Sequence, residues 1–333
     1  MPATQRGELL ETQALVGAKP LFALSRGEIP EIVIHGHIFW KTEGEVAQGT
    51  DAGAVVISRS LLKPWQFLAA EVAGTDSFWA MGLASHSGQP DHIEQLKQLA
   101  AAAHVTEEEL FCPRSLPLDG MLAAQMKLQQ AKPARLFHPC SGKHLMILAA
   151  CRKFEFSLHD YWNEEHPFQR RLYQMVGNQA GERHSWVTDS CGVPTLAARG
   201  PVHLNLWEKL AVNSGENFDQ LRHLWTQNPR LVGGAGRLDS DLVTATEGGV
   251  LAKEGADGLL MLQSLPGNGG PVATCLIKLA GGYNPAFLAL ALWAFLNSDR
   301  IPVPESFGGL KEYLRSRWEE WVPRDQQFMN LLS

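Results

Sequence analysis

Arg59-Ser60-Leu61-Leu62-Lys63-Pro64 opens a stretch that reads as a buried helix, and it sets a hydroxyl and an amine three residues apart. On a helix this spacing puts Ser60 and Lys63 on one face, within hydrogen-bond reach of each other. Pro64 falls in the first turn, where its missing N–H costs little, and Phe67, Leu68, Ala69, Val72 and Ala73 follow at helical spacing. Gly74 is the expected stop. A serine hydroxyl is inert at neutral pH unless a base takes its proton, and a lysine kept neutral by burial or nearby cations can be that base. The same two residues also occur as a helix cap followed by a solvated lysine, so the surrounding chain has to decide between the readings.

Upstream, residues 31–41 alternate and branch like a strand, and residues 51–59 read as a loop and short strand that feed the Ser60 helix. Downstream, the apolar run from Trp79 ends in small polar residues at Ser85 and Ser87, and Asp91 to Ala103 reads as a helix. A polar turn at Pro139-Cys140-Ser141-Gly142-Lys143-His144 leads into an apolar helix through Cys151, whose start favours an anion. Glu165 to Val176 reads as a second long helix, and Thr188 to Pro194 as a turn. Residues 251–262 read as a turn between strands, followed by a loop at Pro266–Pro271 and a strand from Val272 to Leu279. Strands interleaved with helices, with no repeat and no linker, predict an α/β class, an α+β sheet with flanking helices, in a single domain over residues 1–333.

The bulk composition narrows the function. A chain of 333 residues that is 45% hydrophobic can bury a sizeable core. With 29 basic against 35 acidic residues and a net charge of -6, it offers no nucleic-acid surface, and a small neutral or zwitterionic substrate is expected. Met1 to Pro20 lacks the basic-then-apolar pattern of a signal peptide, and the run Ala286–Leu296 is too short to span a bilayer. No membrane association and a cytoplasmic location are therefore expected. Five cysteines are an odd count and speak against a disulfide framework, so the thiols are expected to be buried, reactive or metal-bound.

Other residue types in this pattern could carry chemistry. Ser85 and Lys253 stand at the ends of predicted strands and can project into a shared cleft. Two lysines in one pocket would depress each other's pKa, leaving one free to accept a proton. Cys140 and Cys191, each in a glycine-containing turn, suit a metal site or a redox pair, and a thiolate at a helix start is favoured electrostatically. Local chemistry nominates His138 or His144 as a third zinc ligand, with Asp189 orienting a water or ligand beside it. The segment Gly233-Gly-Ala-Gly-Arg237-Leu-Asp239 lacks the lysine and hydroxyl of a phosphate loop.

Arg59-Ser60-x-x-Lys63-Pro64-x-Gln66, Ala84-Ser85-His86-Ser87, Cys140-Ser-Gly-Lys143-His144, Glu165-His166-Pro167-x-Gln169, Asp189-Ser-Cys191-Gly-x-Pro194 and Lys253-x-Gly-Ala-Asp-Gly258 follow one another in this order. This ordered set resembles the L-asparaginase II family of the Rhizobium etli type, over roughly residues 20 to 285. The resemblance implies a fold similar to serine β-lactamases and bacterial glutaminases, usually a homodimer, and hydrolysis of L-asparagine to aspartate and ammonia without an organic cofactor. It implies Ser60 as nucleophile paired with Lys63, Ser85 with Lys253 as a second serine–lysine pair, and Arg59 in support. It further implies a zinc site of Cys140, Lys143 and Cys191, which replaces histidine by Lys143, with Asp189 and His86 on the substrate side. Ser190, Pro139 and Ala280-Gly281-Gly282 depart from the usual pattern and bear on substrate preference and metal affinity. The rival expectations are a glutaminase, a penicillin-interacting serine hydrolase, or an inactive zinc-stabilised binding protein.

Overall fold

The computed structural model describes residues 17–180, 184–267, 270–301 and 303–332. Residues 1–16, and residues 268 and 269 of the expected Pro266–Pro271 loop, lie outside the described residues. The strands are β1 (Lys19–Arg26), β2 (Ile29–Thr42), β3 (Gln48–Gly49), β4 (Val55–Ile57), β5 (His184–Thr188), β6 (Pro194–Arg199), β7 (Val250–Gly255), β8 (Leu259–Ser264), β9 (Ala273–Leu279) and β10 (Gln327–Asn330).

One sheet has seven strands in the order β10-β1-β2-β9-β8-β7, with β3 paired to β2. A second sheet has three strands in the order β4-β6-β5. Every pairing is antiparallel, so the mixed α and β content takes the form of antiparallel sheets with flanking helices. Strands β7 and β8, Val-Leu-Ala-Lys-Glu-Gly and Leu-Leu-Met-Leu-Gln-Ser, are buried at every position, as expected where both faces of a strand are covered. The helix Gly200–Val212 lies on β2, β8 and β9, and Pro285–Leu296 lies on β1 and β9.

Ser60 is delivered from β4 through a single 3-10 turn, Arg59–Leu62, and the α-helix proper runs from Lys63 to Ala70. All eight residues of that helix are buried, against the helices Ser141–Lys153 and Pro167–Ala180. The helix stops before Gly74, because Glu71 takes a left-handed conformation (φ 46°) and its amide caps the Leu68 carbonyl. Its carboxylate is held there by Arg171 and Lys153. The strand expected over 31–41 extends to 29–42, and the turn between strands expected over 251–262, with the strand expected from Val272 to Leu279, is a run of three antiparallel strands, β7 to β9.

Close approach fixes the geometry around Ser85. A Cβ on Gly142 would stand 2.1 Å from the Met81 carbonyl oxygen, so a residue without a side chain is required where the helix Ser141–Lys153 meets the 3-10 turn Ser77–Gly82. Ser85 leaves that turn tied by its amide to the Val232 carbonyl, 2.9 Å away.

Candidate active site

Ser60 and Ser85 line one cavity of about 540 Å³, together with Arg59, Asp189, Arg237 and Glu254. Arg59 precedes Ser60 with a left-handed backbone (φ 50°), a conformation costing an L-residue on the order of 1 kcal/mol. Its guanidinium compensates: Nη1 is 2.9 Å from Asp189 Oδ1, while Nη2 reaches Asp257 Oδ2 at 3.4 Å and the Ser190 hydroxyl at 3.3 Å. The sharp turn between strand and helix thus presents Ser60 at the cavity wall, and among the described residues its hydroxyl has no hydrogen-bond partner.

By spacing, Lys63 belongs with Ser60; in the folded chain its ammonium turns to Ser85 Oγ, 3.0 Å away. It donates as well to the Ala84 carbonyl and to the Pro139 carbonyl at 3.4 Å. The physical reason is burial: with 1% of the residue exposed, the amine needs acceptors, and two carbonyls and a hydroxyl converge on this side of the helix. Burial also lowers its pKa to about 8, with further lowering from the charges of Lys253 and Lys143 and an opposing pull from Cys140 and Cys191.

Lys253 likewise departs from its expected partner. It forms a buried ion pair with Asp239, Nζ to Oδ2 2.8 Å, rather than a hydrogen bond with Ser85. Burial works against ionisation of Asp239, but Lys253 and Arg237 together hold its carboxyl below the ordinary carboxylate range. Asp239 accepts in addition from the amides of Glu254 (3.1 Å) and Ser240 (3.0 Å). Glu254 in turn accepts from Arg237 Nε (3.3 Å) and Nη2 (3.1 Å), from the Asp239 amide (3.2 Å) and from the Tyr283 hydroxyl. Two cations and two carboxylates therefore close a neutral cluster behind Ser85. Asp239, Glu254, Arg237 and Tyr283 carry no catalytic pattern in the sequence; the one available signal was that Arg237 and Asp239 end a glycine-rich turn.

Cys140, Lys143 and Cys191 come together, although they lie on a helix start and on a distant turn. Lys143 Nζ donates to Cys191 Sγ at 3.0 Å. The neighbouring Cys140 thiol is the largest influence lowering Cys191 to about 5, against its burial and with help from Lys143. Burial opposes a charged Lys143, yet Cys191, Cys140 and Asp189 outweigh it and raise the pKa. Gly192 (φ 88°) closes the turn, donating to the Asp189 carbonyl at 2.8 Å, and this sets Asp189 Oδ2 3.9 Å from the Cys191 sulfur. All five cysteines are free and buried.

The histidines are engaged elsewhere. His144 Nδ1 lies 2.7 Å from the Tyr161 hydroxyl, and His138 Nδ1 accepts from the Cys140 amide at 3.1 Å. Among the described residues no three His, Cys, Asp or Glu side chains are grouped to hold a metal, so neither His138 nor His144 joins the two thiols; the side chain that meets Cys191 is Lys143, through its Nζ. Asp189 lines the cavity, whereas His86 is buried behind it with Nε2 2.9 Å from Ser141 Oγ and is not among the lining residues.

The family model of L-asparaginase II matches residues 22–324, nearly the whole chain. The chain belongs to the L-asparaginase II family. Membership implies a hydrolase acting on an amide of a small molecule. No curated protein matches the chain. Within this L-asparaginase II member, the matched span includes every residue of the cavity wall, from Arg59 to Pro285. Among the described residues no helix is long and apolar enough to cross a membrane.

Proposed function

We propose that this L-asparaginase II protein is of the Rhizobium etli type and hydrolyses L-asparagine to L-aspartate and ammonia by acyl transfer to serine. The carrying observation is the buried Lys63 amine, 3.0 Å from the Oγ of Ser85, a residue that lines the same cavity as Ser60. Ser60 is the nucleophile, and Lys63 is the base that takes its proton. The Ser60 oxygen bonds to the amide carbon, the carbon–nitrogen bond breaks, and the proton held on Lys63 leaves with ammonia. Water then hydrolyses the ester along the reverse proton path. The Ser60 amide, at the start of a 3-10 turn where N–H groups lack intrahelical acceptors, is the candidate oxyanion donor. Lys253, fixed by Asp239, contributes positive charge behind Ser85.

One observation favours a second assignment: Lys63 touches Ser85 directly, which supports Ser85 as the acylated residue. Peptide mapping of the acyl-enzyme after a rapid acid quench separates the two. Ser60→Ala is expected to abolish ammonia release with the fold intact; near-normal turnover together with label on Ser85 would move the nucleophile there. Turnover of glutamine or a β-lactam in preference to asparagine would instead place the chain with the rival hydrolases.

The donor set of two thiols and one amine fits zinc, which takes sulfur and nitrogen ligands, and Cys140, Lys143 and Cys191 would hold it. When bound, zinc would stabilise the thiolates and the neutral amine and anchor the Asp189 turn to the Cys140 helix. We further assign the whole chain, residues 1–333, to one catalytic domain with a serine β-lactamase-like arrangement, working as a homodimer. Five free, buried cysteines support a reducing, cytoplasmic setting.

A further inference from the structure

We propose that Arg237 reads the carboxylate of the substrate, which makes it a specificity-determining residue; this rests on the asparaginase reading above. Two arginines face the cavity, and they differ in what they have left to offer. Both terminal nitrogens of Arg59 are engaged, Nη1 by Asp189 and Nη2 by Asp257 and Ser190, and its Nε, though without a partner, is buried out of reach of solvent. Arg237 is tied along one edge: Nε and Nη2 donate to the Glu254 carboxylate, whose side chain is 0% exposed. Its Nη1 meets only the Ser85 carbonyl, at 3.5 Å, the outer limit of a hydrogen bond.

The result is a guanidinium aimed by a buried carboxylate, with one nitrogen presented beside Ser85. Its side chain keeps 16% exposure, so a ligand in the cavity can reach it. The Tyr283 hydroxyl donates to the same glutamate and its ring lies 5.8 Å from the guanidinium, within cation–π range. Lys253, Arg237, Asp239 and Glu254 sum to zero, so net charge does not draw a carboxylate here; what Nη1 offers is a directed, charge-assisted N–H donor. Asp189 also lines the cavity; with Oδ1 taken by Arg59 and the Ser190 amide, Oδ2 is the oxygen left to meet an α-ammonium. A zwitterionic amino-acid amide would thus span the cavity, carboxylate at Arg237 and ammonium at Asp189, with its side-chain amide between Ser60 and Ser85.

The test compares kcat/KM for L-asparagine with that for 3-aminopropanamide, the same amide without a carboxylate. It uses the full chain as unmodified protein, as Arg237→Lys, and as the charge-neutral pair Arg237→Met with Glu254→Gln. In both variants the loss for asparagine is expected to exceed the loss for 3-aminopropanamide by about 30-fold, chiefly in KM, the size of one charged hydrogen bond. Equal losses for the two amides, which leave the ratio unchanged, would remove Arg237 from recognition and make it structural; if the double variant does not fold, the lysine variant decides alone. Should the unmodified protein release no ammonia from asparagine, the asparaginase reading falls separately. Calorimetric binding of L-aspartate then decides the carboxylate site: it is supported if Arg237→Lys weakens binding by a similar factor, and overturned if binding is unchanged or the unmodified protein binds none.

Discussion

Burying an amine is costly, and Lys63 is buried without a carboxylate partner among its hydrogen-bond acceptors, which are the hydroxyl of Ser85 and two backbone carbonyls. Its pKa near 8 has a kinetic consequence. Only the neutral amine accepts a proton, so kcat/KM for asparagine is expected to rise with pH and level off above about 8. A pH–rate profile that stays flat between about pH 6 and 9 would take Lys63 out of the base role. Asp239 presents the opposite case, an ion pair with both partners fully buried. Replacing it by asparagine leaves Lys253 charged with no counter-ion at that distance, a change expected to cost about 3–5 kcal/mol. Urea unfolding of Asp239→Asn measures this; a loss below about 1 kcal/mol would mean that water reaches Lys253. Ser60 and Lys63 could be picked out from their spacing and apolar surroundings, but Asp239 could not. An aspartate after a glycine-rich turn looks like any solvated loop residue until the chain folds it against β7.

At the scale of elements, the helix Ser141–Lys153 matters most, because it carries Lys143 at one end and packs against the turn that delivers Ser85. Gly142 sets that distance. Gly142→Ala drives a Cβ into the Met81 carbonyl, and a shift of the helix start would carry Lys143 away from Cys191. The expected outcome is a loss of about 1–3 kcal/mol by urea unfolding, accompanied by lower activity. Full stability with full activity would show that the contact relaxes freely. The strand feeding Ser60, the apolar helix after Cys140 and the late strands could be read directly from periodicity and glycine punctuation. Helix ends were less legible: Gly74 looked like a stop, yet Glu71 ended the helix, because Arg171 and Lys153 from other elements hold it left-handed.

Over the whole molecule, one cavity collects groups contributed by positions from Arg59 to Tyr283. Ligand binding to such an assembly stabilises it by mass action. Added zinc is therefore expected to raise the thermal midpoint of the unmodified protein by several degrees and to leave Cys191→Ser unmoved. Identical shifts in scanning calorimetry would discard the proposed site. The sequence by itself determined the interleaved strands and helices, the positions of the serine, lysine and cysteine motifs and the net charge of -6, since these depend on local periodicity, composition and order along the chain. Tertiary structure alone decided which amine meets which hydroxyl. Lys63 chose Ser85, and Lys253 chose Asp239, because a buried charge takes whichever acceptor the packing brings nearest, and that acceptor comes from remote chain.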